Sequence, residues 1–252
     1  MARRLRLDTD MVRRGLALSR AEAAHAIDAK QVLVNGSVAE KSARLVDPGD
    51  AVVLQGPRPR FVSRGGDKLD AALDAFAIEV SGLRVLDAGA STGGFTDCLL
   101  QRRAAHVVAI DVGHGQLHPR IREDRRVTVL ERFHVRNLTT DAIGGAVDFV
   151  VADLSFISII RALPPLLAVG VPHVEVVLLV KPQFEAGKAE VDRGSGVIRD
   201  PAIHQRVCDE VSVALEAQGC EVLGWIESPI TGAQGNREFL VHARLGRSGS
   251  AP

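Results

Sequence analysis

The larger, C-terminal part of the chain alternates short apolar runs with amphipathic stretches. This pattern predicts helices at residues 69–76, 94–102, 138–143, 157–167 and 201–218. It predicts strands at residues 84–87, 107–111, 127–131, 149–153, 176–180 and 223–226, and a last, antiparallel strand at 238–244. Strands that alternate with helices in this way indicate an α/β fold, with an open, mostly parallel sheet and helices on both faces.

The first 54 residues follow a different pattern. Ser19 and Glu22 have the spacing of a capping box at the start of a helix, and Gly15 is expected to end the helix before it. The Asn35-Gly36 pair predicts a two-residue hairpin turn. The elements predict a small α+β unit, with helices at 11–16 and 20–30 and strands at 32–34, 37–39 and 51–54.

Composition and charge bound the class of protein. With 252 residues, 46% hydrophobic and 25% charged, the chain has an ordinary globular composition and is long enough for one or two domains. The net charge is zero, but residues 1–66 hold 12 Lys and Arg against 7 Asp and Glu. This local excess suggests a polyanion partner for the first unit, although a solvated charged face would give the same count.

Several functional classes are excluded at this stage. The longest apolar runs, such as residues 176–180, are far shorter than the roughly 18 residues that cross a membrane. The arginine-rich N-terminus has no apolar stretch after it, so we expect no secretion signal and a cytoplasmic protein. Cys98, Cys208 and Cys220 are too scattered to predict a disulfide framework or a metal site.

A glycine-rich loop follows the first strand of the larger part. The strand ends at Asp87, and the sequence DAGASTGGFT leads into a helix without the spacing of a dinucleotide loop or the lysine of a phosphate loop. Asp111 ends the next strand, where such folds place the carboxylate that binds ribose hydroxyls. The loop resembles the S-adenosylmethionine loop of class I methyltransferases; a tight turn is the alternative. The candidate cofactor residues are Asp87, Gly89, Ser91, Thr92, Gly93, Gly94, Phe95 and Asp111.

Four charged residues stand at the ends of predicted elements. Asp153 and Lys181 close two apolar strands, Lys68 precedes the first helix, and Glu238 opens the final strand. Burial disfavours the charged form of a lysine, so Lys181 is a candidate general base. Each residue also has a structural alternative: Asp153 could cap a helix, and the others could be solvated charges.

Taken together, the motifs resemble a known family. The sequences around Lys68, Asp153, Lys181 and Glu238 are similar to the Lys-Asp-Lys-Glu sites of FtsJ-like RNA 2′-O-methyltransferases. Residues 12–50 resemble the S4-type RNA-binding domain. The combination, with the stretches VVADLSFIS and LVKPQFE, resembles the TlyA family of rRNA cytidine-2′-O-methyltransferases, which are often named haemolysins.

The resemblance implies a domain organisation and an activity. It implies an S4-type domain at residues 1–54, a linker at 55–66, a Rossmann-like class I methyltransferase domain at 67–245 and a disordered tail at 246–252. It further implies S-adenosylmethionine as cofactor, rRNA as partner, one or both ribosomal subunits as substrate, no metal, no membrane contact and a monomer. The competing classes are a non-catalytic ribosome-assembly factor and a membrane-active haemolysin.

The resemblance also implies residue roles. Lys181 would remove the proton from the ribose hydroxyl, Asp153 and Glu238 would tune its charge and position, and Lys68 would orient the hydroxyl. The first domain would bind RNA through phosphates rather than base edges, because no aromatic residue precedes Phe61. The candidate phosphate contacts are Arg4, Arg6, Arg14 and Arg20.

Overall fold

The computed structural model describes residues 4–17, 20–56, 59–194, 196–232 and 235–246. The chain divides into two units, Met1–Arg60 and Phe61–Pro252. The predicted cap residue Ser19 and, apart from Gly246, the predicted tail lie outside the described residues.

The first unit is a small α+β structure with two helices. Its elements are β1 (Leu5–Arg6), α1 (Leu7–Arg13), α2 (Arg20–Asp28), β2 (Val32–Val34), β3 (Ser37–Val38), β4 (Leu45–Val46) and β5 (Val52–Leu54). Strand β2 lies between β3 and β5 in an antiparallel sheet, and β1 pairs with β4. Leu7, Met11 and Ile27 from the helices pack on Val32 and Val34 in its core.

This unit differs from the prediction mainly at its start. Helix α1 begins at Leu7 rather than at residue 11. Its first turn buries Asp8 and Asp10 in ion pairs with arginines, and a pattern of apolar residues cannot predict such a turn. The two-residue strands β1 and β4 were not predicted either, since they are too short to show alternation. The predicted hairpin turn is present, with φ of 52° at Asn35 and 80° at Gly36.

The second unit contains a seven-stranded sheet. Its strands are β6 (Arg84–Ala88), β7 (His106–Asp111), β8 (Val127–Glu131), β9 (Val147–Ala152), β10 (Gly170–Val180), β11 (Cys220–Glu227) and β12 (Phe239–Leu245). They lie in the order β11-β12-β10-β9-β6-β7-β8. Strands β6 to β10 are parallel, and β12 is antiparallel to both of its neighbours. The chain thus reverses its direction of winding between the adjacent strands β6 and β9.

Helices cover both faces of this sheet, as predicted. They are α3 (Gly65–Ala75), α4 (Gly94–Gln101), α5 (Pro119–Arg122), α6 (Ile159–Ala168), α7 (Pro182–Glu185), α8 (Lys188–Arg193) and α9 (Pro201–Ala217). Alternate residues of β9 point to opposite sides, so Val150 joins one apolar cluster and Val151 the other. Helices α6 and α9 contribute to the first cluster, and α3 and α4 to the second.

Two predictions for this unit were wrong. Residues 138–143 form turns after a short 3-10 helix (Val135–Asn137), because the Thr139 hydroxyl accepts a hydrogen bond from the Ala142 amide and two glycines follow. Residues 61–66 of the predicted linker belong to the second unit. Phe61 and Val62 are buried there, so α3 starts at Gly65 and Lys68 lies in its first turn.

Candidate active site

The loops that follow β6 and β9 meet closely at one edge of the sheet. Parallel neighbours end at the same edge, and the Asp153 amide donates a 2.9 Å hydrogen bond to the Ala88 carbonyl. Gly89 has φ of +87°, and a Cβ there would lie 2.3 Å from the Asp153 carbonyl oxygen. A glycine is therefore required at this position by the neighbouring loop.

Two adjoining cavities open at this edge. The first, of about 220 Å³, is lined by the start of α3, the glycine loop and Asp153. The second, of about 550 Å³, is lined by residues after β7 and β9, including Asp111, Val112 and Phe156. Both include Gly89, Ser91 and Asp153, so a ligand can extend from one to the other. The predicted residues Thr92, Gly94 and Phe95 line the first cavity.

The carboxylate of Asp111 is held in a fixed orientation in the second cavity. One oxygen accepts the Ser91 amide at 2.8 Å and the other accepts the Gly113 amide at 2.6 Å. Each carboxylate oxygen can accept a second hydrogen bond, as the vicinal hydroxyls of a ribose would require. Val112 beside it is well exposed and offers an apolar surface. This hydrogen-bond acceptor and the cavity around it fit a nucleoside-containing cofactor.

Asp87 lies beneath the glycine loop rather than in a cavity. It is completely buried, and the Thr96 hydroxyl donates a 2.6 Å hydrogen bond to one of its oxygens. Burial raises the pKa of Asp87 to about 7; the Thr96 hydrogen bond opposes the shift, and the nearby carboxylates of Asp153 and Asp111 add to it. Asp87 and Gly93, both predicted to contact the cofactor, line neither of the two cavities.

The four predicted catalytic side chains form two ion pairs at the first cavity. Lys68 Nζ lies 2.5 Å from Glu238 Oε2, and Lys181 Nζ lies 2.5 Å from Asp153 Oδ1. Lys181 Nζ also donates to the Ser155 hydroxyl at 2.9 Å. Both lysines are buried, and Lys68 and Asp153 line the same cavity. The structure therefore brings together residues that are up to 170 positions apart.

Sequence reasoning missed the most exposed aromatic residue of the site. Phe156 is 93% exposed, has φ of +65°, and its ring lies 5.6 Å from the Phe184 ring. It follows Asp153 by three residues and lines the second cavity. An aromatic residue in the polar loop after a strand is the signal that could have identified it, because a loop of this kind is expected at the surface.

Three of the four arginines predicted to bind RNA remain open to solvent. Arg6 and Arg20 both donate to the buried carboxylate of Asp8, and their side chains are 46% and 60% exposed. The Arg6 guanidinium is the main reason why the pKa of Asp8 lies well below its usual range. Arg4 pairs with Asp47 at the surface. These guanidinium groups can still contact a phosphate.

Arg14 has a different environment. Its side chain is 22% exposed, pairs with the buried Asp10 at 2.5 Å and donates to the carbonyl oxygen of Asp50 at 2.7 Å. Longer hydrogen bonds reach the carbonyl oxygens of Asp47 and Pro48. These partners give Arg14 a structural role in the first unit.

Comparison with known proteins places the chain in a family. Residues 61–245 match the model of the FtsJ-like methyltransferase family, and residues 5–52 match that of the S4 domain. The 16S/23S rRNA (cytidine-2′-O)-methyltransferase TlyA of Mycobacterium tuberculosis is 50% identical over 97% of this chain and 91% of its own length. The chain belongs to the TlyA family of FtsJ-like methyltransferases.

Other relatives carry a different name. Hemolysin A of Brachyspira hyodysenteriae is 38% identical over 94% of this chain and 99% of its own length. A solved structure from Streptococcus thermophilus, also named as a hemolysin, is 39% identical, covers 98% of this chain and 90% of that one, and has a TM-score of 0.77. Within the described residues, no helix has both the length and the apolar character needed to cross a membrane.

Proposed function

We propose that this protein transfers a methyl group from S-adenosylmethionine to the ribose 2′-oxygen of a cytidine in ribosomal RNA. The observation that carries the proposal is the ion pair of the buried Lys181 with Asp153 beside the glycine loop, in a chain of the TlyA family. The reaction needs a base next to an electrophilic methyl group, and this edge of the sheet holds both a candidate base and a cofactor-sized cavity.

The two cavities support the choice of cofactor. Asp111 would accept hydrogen bonds from the ribose hydroxyls, and Val112 would contact the adenine ring. When bound, S-adenosylmethionine supplies a methyl group on a positively charged sulfur. Asp153 lines both cavities. The glycine loop lets the backbone approach the ligand closely.

Lys181 is the proposed general base. A ribose hydroxyl is a weak nucleophile until its proton is removed, and a positioned base typically contributes 10²–10⁴-fold to the rate. Lys181 Nζ would accept the proton in its neutral form. Asp153 would then stabilise the ammonium group that results, and the Ser155 hydroxyl would hold Nζ in place. Lys68, kept in position by Glu238, would donate a hydrogen bond that orients the hydroxyl.

The substrate RNA would contact both units. Arg4, Arg6 and Arg20 would neutralise phosphates, which supplies affinity without reading the base sequence. At the methyltransferase unit, the exposed ring of Phe156 offers a surface on which a base can stack. The arginines lie in the first unit, so stacking on Phe156 would add an RNA contact in the methyltransferase unit.

Two further properties are part of this proposal. Ribosomal subunits lie in the cytoplasm, so the protein would act there. Separately, we propose that it acts as a monomer. The names of two relatives raise haemolysis as the competing function. A lysine–carboxylate pair at a nucleoside-sized cavity serves methyl transfer and has no evident use in membrane lysis.

The test combines labelled cofactor with mapping of the product. Purified protein is incubated with methyl-labelled S-adenosylmethionine and separate ribosomal subunits, and the modified nucleotide is located by primer-extension arrest. We expect label on a cytidine ribose with wild type and none with Lys181→Arg, which keeps the charge but is not a base at neutral pH. Absence of label, label on a base, or lysis of erythrocytes by the pure protein would contradict the proposal. Cofactor binding without transfer would favour an assembly factor.

A further inference from the structure

Besides the ion pair of Lys181 with Asp153, three contacts between side chains join the loop after β9 to the segment after β10. We call residues 153–159 the β9 loop and residues 181–185 the β10 segment. Lys181 Nζ donates to Ser155 Oγ at 2.9 Å, and the rings of Phe156 and Phe184 lie 5.6 Å apart. The third contact is the shortest: Ser158 Oγ donates to Glu185 Oε2 at 2.5 Å. The two segments carry the proposed base and its carboxylate partner.

Glu185 accepts two hydrogen bonds from the β9 loop. Besides the Ser158 hydroxyl, it accepts the Ile159 amide at 2.7 Å, at the beginning of α6. Ser158, the N-cap residue of α6, makes no capping bond with its own side chain. Glu185, 26 positions further along the chain than Ile159, therefore supplies the cap from another segment. A carboxylate is favoured at a helix N-terminus, where free amides and the helix dipole meet it.

A short, rigid path connects Glu185 to the proposed base. Lys181 is the N-cap of α7, Pro182 opens this helix, and the Phe184 amide donates to the Lys181 carbonyl at 2.8 Å. Proline fixes its own φ, so this turn has little freedom. A displacement of Glu185 should therefore also move Lys181 in the β10 segment. In the β9 loop, a displacement of Ser158 should likewise move Ser155 and Asp153.

We propose that Glu185 is a positioning residue that sets the placement of Lys181 relative to Asp153 and Ser155. Its carboxylate bonds both the side chain and the backbone of the β9 loop and so keeps the two segments in register. It touches no reacting atom. The kinetic part of this proposal rests on the proposed methyl transfer, whereas the geometric part concerns the two segments alone.

The test compares three variants. Glu185→Ala removes both hydrogen bonds, whereas Glu185→Gln keeps an acceptor for the Ile159 amide and a polar group for the Ser158 hydroxyl. Asp200→Ala is the matched control, because Asp200 caps α9 through a 2.9 Å bond to the Ala202 amide and touches neither segment. We measure kcat, KM for ribosomal RNA, the Kd of S-adenosylmethionine and the melting temperature of each.

A second readout is independent of activity. The sequence contains only five lysines, so lysine labelled with ¹³C at the ε-carbon gives five resolvable signals. Lys181→Arg assigns the signal of Lys181 by its loss. This spectrum reports the surroundings of Lys181 Nζ whether or not the protein transfers a methyl group.

Glu185→Ala should lower kcat by up to about 10²-fold, the cost of misplacing a catalytic group by about 1 Å. KM and the cofactor Kd should stay close to wild type, the Lys181 signal should move, and Glu185→Gln should restore both readouts. Asp200→Ala should change neither. The proposal is overturned if Glu185→Ala leaves the Lys181 signal unmoved, or if Asp200→Ala moves it equally. A wild-type protein that transfers no methyl group refutes the proposed function, and the spectra still decide the position of Lys181.

Discussion

Replacing the buried Asp87 by Asn should make the methyltransferase unit less sensitive to pH. Burial raises the pKa of Asp87 from 3.8 to about 7, and only Thr96 donates a hydrogen bond to its side chain among the described residues. The folded pKa lies above the unfolded one, so the folded protein holds the proton more tightly. The stability that this group contributes is fully present below about pH 4 and is lost as the pH rises through 7.

The size of the effect follows from the shift. Each pKa unit corresponds to 1.36 kcal/mol, so ionisation of the buried group costs about 4 kcal/mol above pH 7. Between about pH 5 and about pH 8, the wild type should lose about 2–3 kcal/mol relative to Asp87→Asn. The asparagine also buries an amide donor, which costs about 1–3 kcal/mol at every pH. The informative quantity is therefore the change with pH rather than the stability of the variant at one pH.

The assay can be restricted to the correct unit. The only tryptophan, Trp225, lies in β11, so its fluorescence during urea unfolding reports on the unit that contains Asp87. Asp141→Asn is the control, because this exposed turn residue should not alter the pH profile. If wild type and Asp87→Asn lose stability in parallel between the two pH values, the buried carboxyl is not the cause and the reasoning is refuted.

The remaining predictions concern activity and RNA binding. Lys181→Ala should lower methyl transfer by at least about 10²-fold without changing the Kd of S-adenosylmethionine in calorimetry; more than about a tenth of the wild-type rate would argue against a base. Gly89→Ala should weaken cofactor binding and lower kcat together, since the added Cβ would collide with the Asp153 carbonyl; a variant with either value unchanged would contradict this. Arg20→Ala should reduce the slope of log affinity for rRNA against log salt concentration by about 0.7–0.9; an unaltered slope would show that Arg20 does not contact a phosphate. Arg14→Ala should mainly lower the melting temperature.

The periodic parts of the fold could be predicted from the sequence. Strand ends are marked by the change from apolar to polar residues, and this placed Asp153 and Lys181 at the correct edge of the sheet. The same signal identified the glycine loop, because its residues follow β6 directly. Residues that follow neighbouring parallel strands meet at the same edge whatever their separation along the chain, so the Lys181–Asp153 pair is a consequence of the topology. Lys68 reaches Glu238 from the first turn of α3.

The other features of the fold and the site depend on tertiary contacts, which the periodicity of the sequence does not show. Nothing in the apolar pattern indicates that Asp8 and Asp10 are buried; their arginine partners allow them to be buried in α1. Gly89 was predicted to be a cofactor residue from its place in the glycine loop, but the sequence does not show that the loop after β9 also excludes a side chain there. Residues 138–143 have helical spacing, but local hydroxyl and glycine preferences decide the outcome.

The pairing of Arg6 and Arg20 at one buried carboxylate has a consequence for how charge should be counted. Asp8 lowers the net charge of the first unit, yet it holds two mutually repelling guanidinium groups in a fixed arrangement. Side chains that are already ordered lose less conformational entropy when they meet a phosphate. Asp8→Asn would make the unit more basic. If these arginines bind phosphates as proposed, the same substitution would nevertheless lower the affinity of the unit for RNA. Affinity for a polyanion can therefore depend on an acidic residue.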